Sequence, residues 1–311
     1  MSDIPTNGNG SLTQVALVTG ATEGIGYHTA NGLAARGYTV LITGRDLGRG
    51  AAAAASITAA NSGRADFIQA DHSTVGGDRQ AAVAVTEHLR SLGLNESLNV
   101  LVDNVGGIFA QRTLTPDGYE ATLALNFLAP YVVTTSLLPL LTATPRSRIV
   151  VVTSQLSWLK QQVHGDLLDD LDASKDYVGI AAHARAKLLL TAWALGLSRD
   201  PSTAGVTVTA VNPGTAWTRM TQGLTPEVVP SWKYFYPLAR WFQKRGDAEK
   251  AAQVVVRLAT TASPEEINGA FIDMRGKPGK VPGTLSDPAF QAKVAELAQR
   301  LAQQAPTASS V

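Results

Sequence analysis

Apolar runs of strand length alternate with helical stretches along almost the whole chain. The predicted strands lie at 14–19, 39–43, 66–70, 99–103, 147–153, 206–211 and 270–273. Helical stretches follow most of them, at about 25–36, after 46, and at about 78–90, 181–197, 247–259 and 288–302. Repeated strand–helix–strand units build a parallel sheet with helices on both faces. We therefore predict one doubly wound α/β domain with a parallel sheet of about seven strands.

Composition narrows the function classes. The chain has 311 residues and 45% hydrophobic content, enough for one well-buried core. A net charge of +1 gives no field that favours nucleic acid, so no nucleic-acid partner is expected. The absence of cysteine excludes disulfides, Cys-ligated zinc and thiol catalysis. No pair among the five histidines has metal-ligand spacing, so we expect no metal.

The two ends of the chain and one uncharged stretch bear on location. Residues 1–12 and 304–311 are predicted to be flexible tails around a domain at 13–303, and the N-terminus lacks the pattern of a signal peptide. The stretch 121–145 is long enough for a membrane span, but prolines and polar residues interrupt it. We expect a buried helix there and a cytoplasmic protein without a membrane partner. A homo-oligomer is left open.

A glycine-rich turn joins the first predicted strand to the first helix, with the sequence TGATEGIG at 19–26. Gly20 permits a tight turn, Gly24 lets the backbone approach a pyrophosphate, and Gly26 lets the helix pack against the sheet. The helix N-terminus adds free N–H groups and a positive dipole end. This placement predicts a Rossmann-type dinucleotide site.

The tip of the second strand predicts which dinucleotide is bound. Arg45 stands where an acidic residue would take the ribose 2′-hydroxyl of NAD, and an arginine there suits a 2′-phosphate. Arg45 therefore favours NADP(H). Glu23 and Asp46 are close in sequence and would oppose a phosphate if they faced it.

Several ordered motifs together resemble the short-chain dehydrogenase/reductase family over about 14–273. TGATEGIG is similar to the family's TGxxxGxG turn, and the segment 103–106 sits where the family has NNAG, with Asp103 and Val105 as departures. The KDY and AKL spellings are most like the retinol-dehydrogenase-like branch. The resemblance implies catalytic roles for Asn126, Ser154 and Lys187. It also implies that the cofactor is held by Gly20, Thr22, Gly24, Ile25, Gly26, Arg45, Asp71, Asn104, Gly106, Lys187, Pro213, Gly214 and Thr218, with Asp71 at the adenine.

One position departs from the family's YxxxK signature. Lys187 fits the lysine, but His183 stands in the tyrosine position. Tyr177 is not a simple substitute, because Ala181 and not a lysine follows it by four residues. Tyr177 matches a second tyrosine that often precedes the catalytic one in this branch. In a typical family member the tyrosine protonates the developing alkoxide, the lysine binds the ribose, and the serine bonds the carbonyl.

Histidine changes the chemistry at that position. Neutral imidazole donates a proton poorly to an alkoxide, and Lys187 one turn away pushes His183 towards the neutral form. The imidazole also falls about 2 Å short of a phenol oxygen, a reach that a bridging water would restore. Three interpretations stay open. His183 is an acid/base in a redox reaction, or a group in a non-redox cyclase or isomerase. In the third interpretation, His183 is inert in a protein that binds NADP without turnover.

The substrate side is predicted from a cluster of aromatic residues. The segment at about 217–247, which the resemblance makes the substrate lid, reads as irregular chain. An insertion at 155–178 would form another wall. The lid aromatics favour a small apolar or aromatic substrate, or they staple the lid to the body or form a subunit contact. The leading function is an NADP(H)-dependent oxidoreductase of an apolar carbonyl or alcohol. The sequence leaves open whether His72, beside Asp71, lies near adenine. His164 could reach the pocket, although a loop histidine is usually solvated. The lid aromatics are Trp217, Trp232, Tyr234, Phe235, Tyr236, Trp241 and Phe242.

Overall fold

The computed structural model of the chain describes residues 13–94, 97–163, 165–234 and 236–306. Within these ranges seven strands form one parallel sheet in the order β3-β2-β1-β4-β5-β6-β7, as predicted. The predicted tail at 1–12, His164, Phe235 and residues 307–311 lie outside the described residues. The strands are β1 (Val15–Val18), β2 (Thr39–Gly44), β3 (Arg64–Gln69), β4 (Val100–Asp103), β5 (Arg148–Val152), β6 (Thr207–Val211) and β7 (Phe271–Ile272).

Helices cover both faces of the sheet. The helices α1, α2 and α9 pack on one face, and α3, α4, α6 and α12 pack on the other. They are α1 (Gly24–Ala34), α2 (Leu47–Ala60), α3 (Val75–Ser91), α4 (Ala121–Ala143), α5 (Leu156–Gln162), α6 (Gly179–Leu197), α7 (Arg219–Gln222), α8 (Tyr236–Gln243), α9 (Ala248–Thr260), α10 (Pro264–Ile267), α11 (Gly283–Ser286) and α12 (Pro288–Gln304).

The apolar strands are buried on both sides because each face has its own core. In β1, Val15 and Leu17 pack into the core under α4 and α6, while Ala16 and Val18 pack into the core under α1 and α9. This is the two-residue period of an extended chain. A strand that buries both faces needs no polar face, and the uninterrupted apolar runs in the sequence follow from this.

Acidic and hydroxyl side chains set the starts of several helices. The Asp46 carboxylate accepts a hydrogen bond from Arg49 N at the start of α2, and Thr74 accepts one from Gly77 N at the start of α3. Asp247 caps α9 in the same way. Such caps satisfy N–H groups that have no partner inside the helix. The helix starts predicted from sequence therefore lie within a few residues of the observed ones.

The strand order reverses next to β1, and this reversal places the functional crevice. From β1 the chain runs outward through β2 to β3, and it then returns to place β4 on the other side of β1. The helices that follow β1 and β4 therefore leave towards opposite faces. A crevice opens between them at the carboxyl ends of the strands, where doubly wound sheets bind ligands.

Two segments differ from their predicted form. The lid segment at 217–247 is not wholly irregular, since it contains α7, α8 and a 3₁₀ turn at Pro230–Tyr234. At the end of the chain α12 extends through Gln304, and Ala305 is buried against the body, beyond the predicted domain end at 303. The lid helices are short, and their apolar pattern spans too few turns to stand out in the sequence.

Candidate functional site

The glycine turn has the open geometry that a pyrophosphate needs. Gly20 and Gly24 both have a φ of +61°, which favours glycine. A Cβ on Gly26 would come within 2.5 Å of Asn104 Nδ2 and 2.8 Å of the Gly20 carbonyl oxygen. The N-cap residue Glu23 makes no side-chain hydrogen bond to α1. The first turn of α1 can therefore direct its N–H groups at a phosphate.

Asn104 ties this turn to the loop that follows β4. Its Nδ2 donates to the carbonyl oxygens of Thr19 at 2.9 Å and of Gly20 at 3.1 Å. Its backbone N–H donates to Thr19 Oγ1 at 3.0 Å. The amide side chain of Asn104 thus makes its hydrogen bonds within the protein. Asn104 shapes the cofactor site by holding the turn.

A buried polar network lies behind the same turn. Thr43 Oγ1 accepts from the Gly20 N–H at 3.2 Å and lies 2.7 Å from His72 Nε2. His72 Nδ1 lies 2.6 Å from Asp78 Oδ1. The carboxylate only accepts, so Nδ1 carries the hydrogen and Nε2 accepts from the Thr43 hydroxyl. Burial raises the pKa of Asp78.

The imidazole of His72 is enclosed by the protein. Only 3% of its surface is exposed, and both ring nitrogens are taken up inside the protein. Sequence reasoning also missed Thr43 and Asp78 as supports of the turn. The six-residue separation of His72 and Asp78 crosses from a loop into α3, so no local period signals their contact.

The charges at the tip of β2 suit a 2′-phosphate. Arg45 is exposed there. The Asp46 carboxylate is held by Arg49 at 3.0 Å, and the Glu23 carboxylate is held by Arg219 at 3.3 Å. Both acidic residues that would oppose a phosphate are thus paired with arginines, and Arg45 can face a phosphate.

A cavity of about 550 Å³ opens from the glycine turn across the carboxyl ends of β4, β5 and β6. It brings together most of the predicted site residues and joins the catalytic candidates to part of the cofactor candidates. Those that line it are Ile25, Asn104, Gly106, Asn126, Ser154, His183, Lys187, Pro213, Gly214 and Thr218. Gly20, Thr22, Gly24, Gly26, Arg45 and Asp71 do not line it. Among these, Asp71 is exposed after β3, and its carboxylate accepts from Ser73 N at 3.0 Å.

Asn126 lies in a π-helical turn of α4, at Ala124–Leu128. Its Nδ2 donates to the Thr122 carbonyl at 2.8 Å and to the Gly107 carbonyl at 2.7 Å, and its Oδ1 accepts from Gly107 N at 3.3 Å. A π turn widens the helix, and the asparagine amide takes up the carbonyl that is left over. Asn126 therefore holds the backbone of Gly107 at both its N–H and its carbonyl. Gly107 follows Gly106 directly, yet the sequence analysis did not identify it as a site residue.

His183 makes its hydrogen bond to that same peptide. Its Nδ1 lies 3.3 Å from the Gly107 carbonyl oxygen. A carbonyl only accepts, so Nδ1 carries the hydrogen and Nε2 is left as an acceptor. Burial lowers the pKa of His183 to about 4, and the Lys187 ammonium adds to this, against a raising effect of the Gly107 carbonyl. His183 is therefore neutral at pH 7, the form that the sequence led us to expect.

Lys187 lies one turn further along α6 and is also buried. Its Nζ donates to the Val152 carbonyl at 3.0 Å. Burial lowers the pKa of Lys187 to about 8, opposed by the charge of Asp103. Burial likewise raises the pKa of Asp103 to about 7. Thr134 donates to Asp103 Oδ2 at 2.7 Å, and Oδ1 is buried without a hydrogen-bond partner in the part of the chain that is described. The family departure at Asp103 thus puts an ionisable pair beneath the cavity.

Tyr177 does not take the place of the missing tyrosine. Its hydroxyl lies 3.1 Å from Thr122 Oγ1 and donates to the Phe109 carbonyl at 3.2 Å. It is not among the residues that line the cavity. Burial raises the pKa of Tyr177 to about 12. A phenol that is held in this way braces the loop around Phe109 and does not reach the site.

The lid segment closes the cavity on its outer side. Trp232, Ala239 and Gln243 line the cavity, together with Trp158 from the predicted insertion wall. Trp217 instead stacks under Arg240, whose guanidinium carbon lies 4.6 Å from the centroid of the Trp217 ring. Trp232 therefore lines the pocket and Trp217 fastens the lid, whereas Tyr234 and Trp241 are exposed on the surface of the lid.

Comparison with known proteins agrees with this geometry. A family model described as short chain dehydrogenase matches residues 14–165. Polyprenol dehydrogenase from Mus musculus is 36% identical over 215 residues, which cover 67% of this chain and 61% of that protein. The chain belongs to the short-chain dehydrogenase/reductase family. Retinol dehydrogenase 13 from Homo sapiens is 29% identical over 296 residues, which cover 93% of this chain and 82% of that protein. The predicted retinol-dehydrogenase-like branch is confirmed.

A solved structure extends the comparison to the cofactor. A short-chain dehydrogenase from Burkholderia cenocepacia, solved in complex with NADP, has 29% identity and a TM-score of 0.63 over 85% of this chain and 97% of that chain. The predictions of an oxidoreductase of this family and of NADP(H) as its cofactor type are confirmed at the level of the family.

The prediction of a cytoplasmic protein is wrong. The relatives are named for polyprenol and retinol, apolar alcohols of the kind that partition into membranes. Among the described residues, one helix, α4, is long and apolar enough to cross a membrane by length and composition. In this fold 67% of its most apolar stretch is buried, so α4 serves here as a core helix. The expectation rested on α4 and on the pattern of the N-terminus, and it did not consider the kind of substrate.

Proposed function

We propose that this protein is an NADP(H)-dependent oxidoreductase that oxidises an apolar alcohol and uses His183 as the proton acceptor. The observation that supports this most is the cavity in which Ser154, His183 and Lys187 lie next to the start of α1. The tetrad would be completed by Asn126, which holds the Gly107 peptide in place.

The residues present fit the dinucleotide. The uncapped start of α1 and the close approach at Gly26 leave room and donors for the pyrophosphate. Lys187 would bind the ribose, and Arg45 would meet the 2′-phosphate. NADP⁺, when bound, accepts a hydride from the substrate carbon. Thr218 lies against the glycine turn, since its methyl is 2.9 Å from where a Cβ on Gly24 would stand.

The tautomer of His183 leaves Nε2 able to accept a proton. The substrate hydroxyl would lose its proton to His183 Nε2 as its carbon loses a hydride. The resulting imidazolium would keep its Nδ1–H on the Gly107 carbonyl, and Ser154 would hold the substrate oxygen. The proton then passes to solvent, so the alcohol becomes a carbonyl with the loss of one hydride and one proton. The names of the polyprenol and retinol dehydrogenase relatives support the direction of oxidation.

An apolar substrate is supported by the cavity wall away from the cofactor turn. Ile108, Trp158, Ile180, Leu224 and Trp232 line this part. A cavity of about 550 Å³ falls within the range of small-molecule sites. The names of the polyprenol and retinol dehydrogenase relatives point to the same substrate class.

A non-redox reaction is the second candidate. The same observation favours it, because a neutral imidazole that accepts protons in an apolar pocket suits proton abstraction in an isomerase or cyclase. Hydride transfer separates the two functions. A protein that binds NADP without turnover would show neither activity.

The experiment begins with fluorescence titration of the purified protein with NADPH and NADH. We expect tighter binding of NADPH, with a loss of about 10- to 100-fold in Arg45→Ala, because a charge-assisted contact is lost. Arg64→Ala is the matched control, since Arg64 pairs with Asp66 on β3. Unchanged selectivity in Arg45→Ala would remove the proposed role of Arg45.

Single-turnover oxidation of a long-chain isoprenoid alcohol with NADP⁺ follows. Deuterium at the carbinol carbon should slow the reaction and appear in the product NADPH. Tight cofactor binding with no deuterium transfer from any apolar alcohol would contradict the proposal and favour the non-redox candidate.

A further inference from the structure

The outer side of the lid exposes an unusual share of apolar surface. We use "lid surface" for Lys233, Tyr234, Leu238, Trp241, Lys244 and Arg245. Three of the eight large hydrophobic side chains that are exposed among the described residues belong to it. Tyr234 is 89% exposed and Leu238 is 54% exposed. Clustered exposed apolar side chains mark a surface that meets another apolar phase or partner.

The lid surface is also basic. The stretch 228–246 contains four basic residues and no acidic one, and Glu227 and Asp247 stand at its two ends. Lys233, Lys244 and Arg245 are exposed, while Arg240 turns inward over Trp217. Apolar and aromatic side chains interleaved with lysine and arginine are typical of segments that lie in the headgroup region of an anionic membrane.

One helix separates this surface from the cavity. In α8, Ala239 and Gln243 are one turn apart and line the cavity. Leu238 and Trp241 lie on the other side of the same helix and are exposed. Whatever covers the lid surface therefore lies one helix away from the substrate.

We propose that the lid surface binds an anionic phospholipid bilayer, so that an apolar substrate can pass from the membrane into the cavity. The passage of substrate rests on the proposed function, while the binding of the bilayer does not. This reverses the expectation that the chain has no membrane partner. A second copy of the chain fits less well, because a twofold contact would place two basic surfaces against each other.

The test measures co-sedimentation with vesicles, without substrate or cofactor. Vesicles of phosphatidylcholine with phosphatidylserine should bind the protein, and pure phosphatidylcholine vesicles should bind it much more weakly. Lys233→Gln and Lys244→Gln should each weaken binding about fivefold, and added salt should do the same. Tyr234→Glu and Leu238→Glu should abolish binding. Leu47→Glu is the matched control, since Leu47 is 62% exposed in α2, outside the lid segment, and should bind as the wild type does.

Three results would overturn the proposal. The first is that neither kind of vesicle binds. The second is binding that survives in Tyr234→Glu and Leu238→Glu. The third is a soluble dimer that Leu238→Glu dissociates, which would assign the lid surface to a second copy. NADPH titration of each variant shows that it is folded. Vesicle binding without any hydride transfer would keep this proposal and remove the proposed function.

Discussion

Two histidines are buried in the described part of the chain, and their surroundings differ. His72, behind the glycine turn, has a partner for each ring nitrogen, at 2.7 Å and 2.6 Å. His183, at the cavity, has one carbonyl partner at 3.3 Å and a lysine one turn away. The first arrangement satisfies the imidazole and stiffens the fold. The second leaves Nε2 of His183 able to accept a proton, which is what a catalytic base requires.

The sharpest test of this contrast is His183→Gln. Glutamine can keep a hydrogen bond to the Gly107 carbonyl, but its amide does not accept the substrate proton. We expect single-turnover oxidation to fall by about 10²- to 10⁴-fold with NADPH binding unchanged. His88→Gln, on the outer part of α3, is the control and should keep full activity. Full activity in His183→Gln would end the assignment of His183 as the base.

His183 should contribute to the pH dependence of stability. Its pKa is about 4 in the folded protein and 6.5 in the reference state. Between these values the unfolded chain takes up a proton that the folded protein does not, so the contribution of His183 to the free energy of unfolding falls as pH drops from about 6.5 to 4. The loss is on the order of 3 kcal/mol. Asp103, with its raised pKa, acts in the opposite direction and is present in both proteins. Urea denaturation at several pH values should therefore show the wild type losing stability relative to His183→Gln as the pH drops. Equal slopes in the two proteins would contradict the low pKa.

Substitutions in the network around His72 should lower the stability of the protein and should leave the rate of the chemical step unchanged. Asp78→Ala leaves the His72 Nδ1–H buried without its acceptor, at a cost of about 1–3 kcal/mol. It should also weaken NADPH binding, because Thr43 then holds the Gly20 N–H less firmly. Asp66→Ala is the matched control, since Asp66 makes partly exposed ion pairs with Arg64 at 2.8 Å and His88 at 3.1 Å, and their loss should cost less than about 1 kcal/mol. Denaturation and NADPH titration measure both effects, and equal losses in the two variants would remove the distinction.

Asp103→Asn should give the smallest effect. The Asp103 carboxylate raises the pKa of Lys187, so its removal should lower that pKa further below its value of about 8. NADPH binding should then weaken at a lower pH than in the wild type. The variant should also gain stability relative to the wild type as pH rises towards 7, because the carboxyl with a raised pKa of about 7 is lost. If NADPH binding has the same pH dependence in Asp103→Asn as in the wild type, then Asp103 does not influence the pKa of Lys187.

The sequence alone determined the sheet, its helices and the place of the cofactor turn. Those features depend on local patterns: apolar runs of strand length, helix caps, and glycines directly after β1. It also placed Ser154, His183 and Lys187 near one another, since they follow strand ends or share a helix face. The position of His183 one turn from Lys187 was enough to predict a neutral imidazole.

Only the tertiary structure decided what those residues touch. The tautomer of His183 depends on a carbonyl 76 residues away, at Gly107, and the burial of His72 depends on Thr43 across the sheet. The electrostatic influence of Asp103 on Lys187 links β4 to α6, and the two faces of α8 appear only when the lid is folded over the cavity. These contacts join chain segments that are distant in sequence, and strand order and helix packing bring them together. Local residue patterns do not specify contacts between segments that are far apart in the sequence. The chemistry of the pocket therefore follows from the fold.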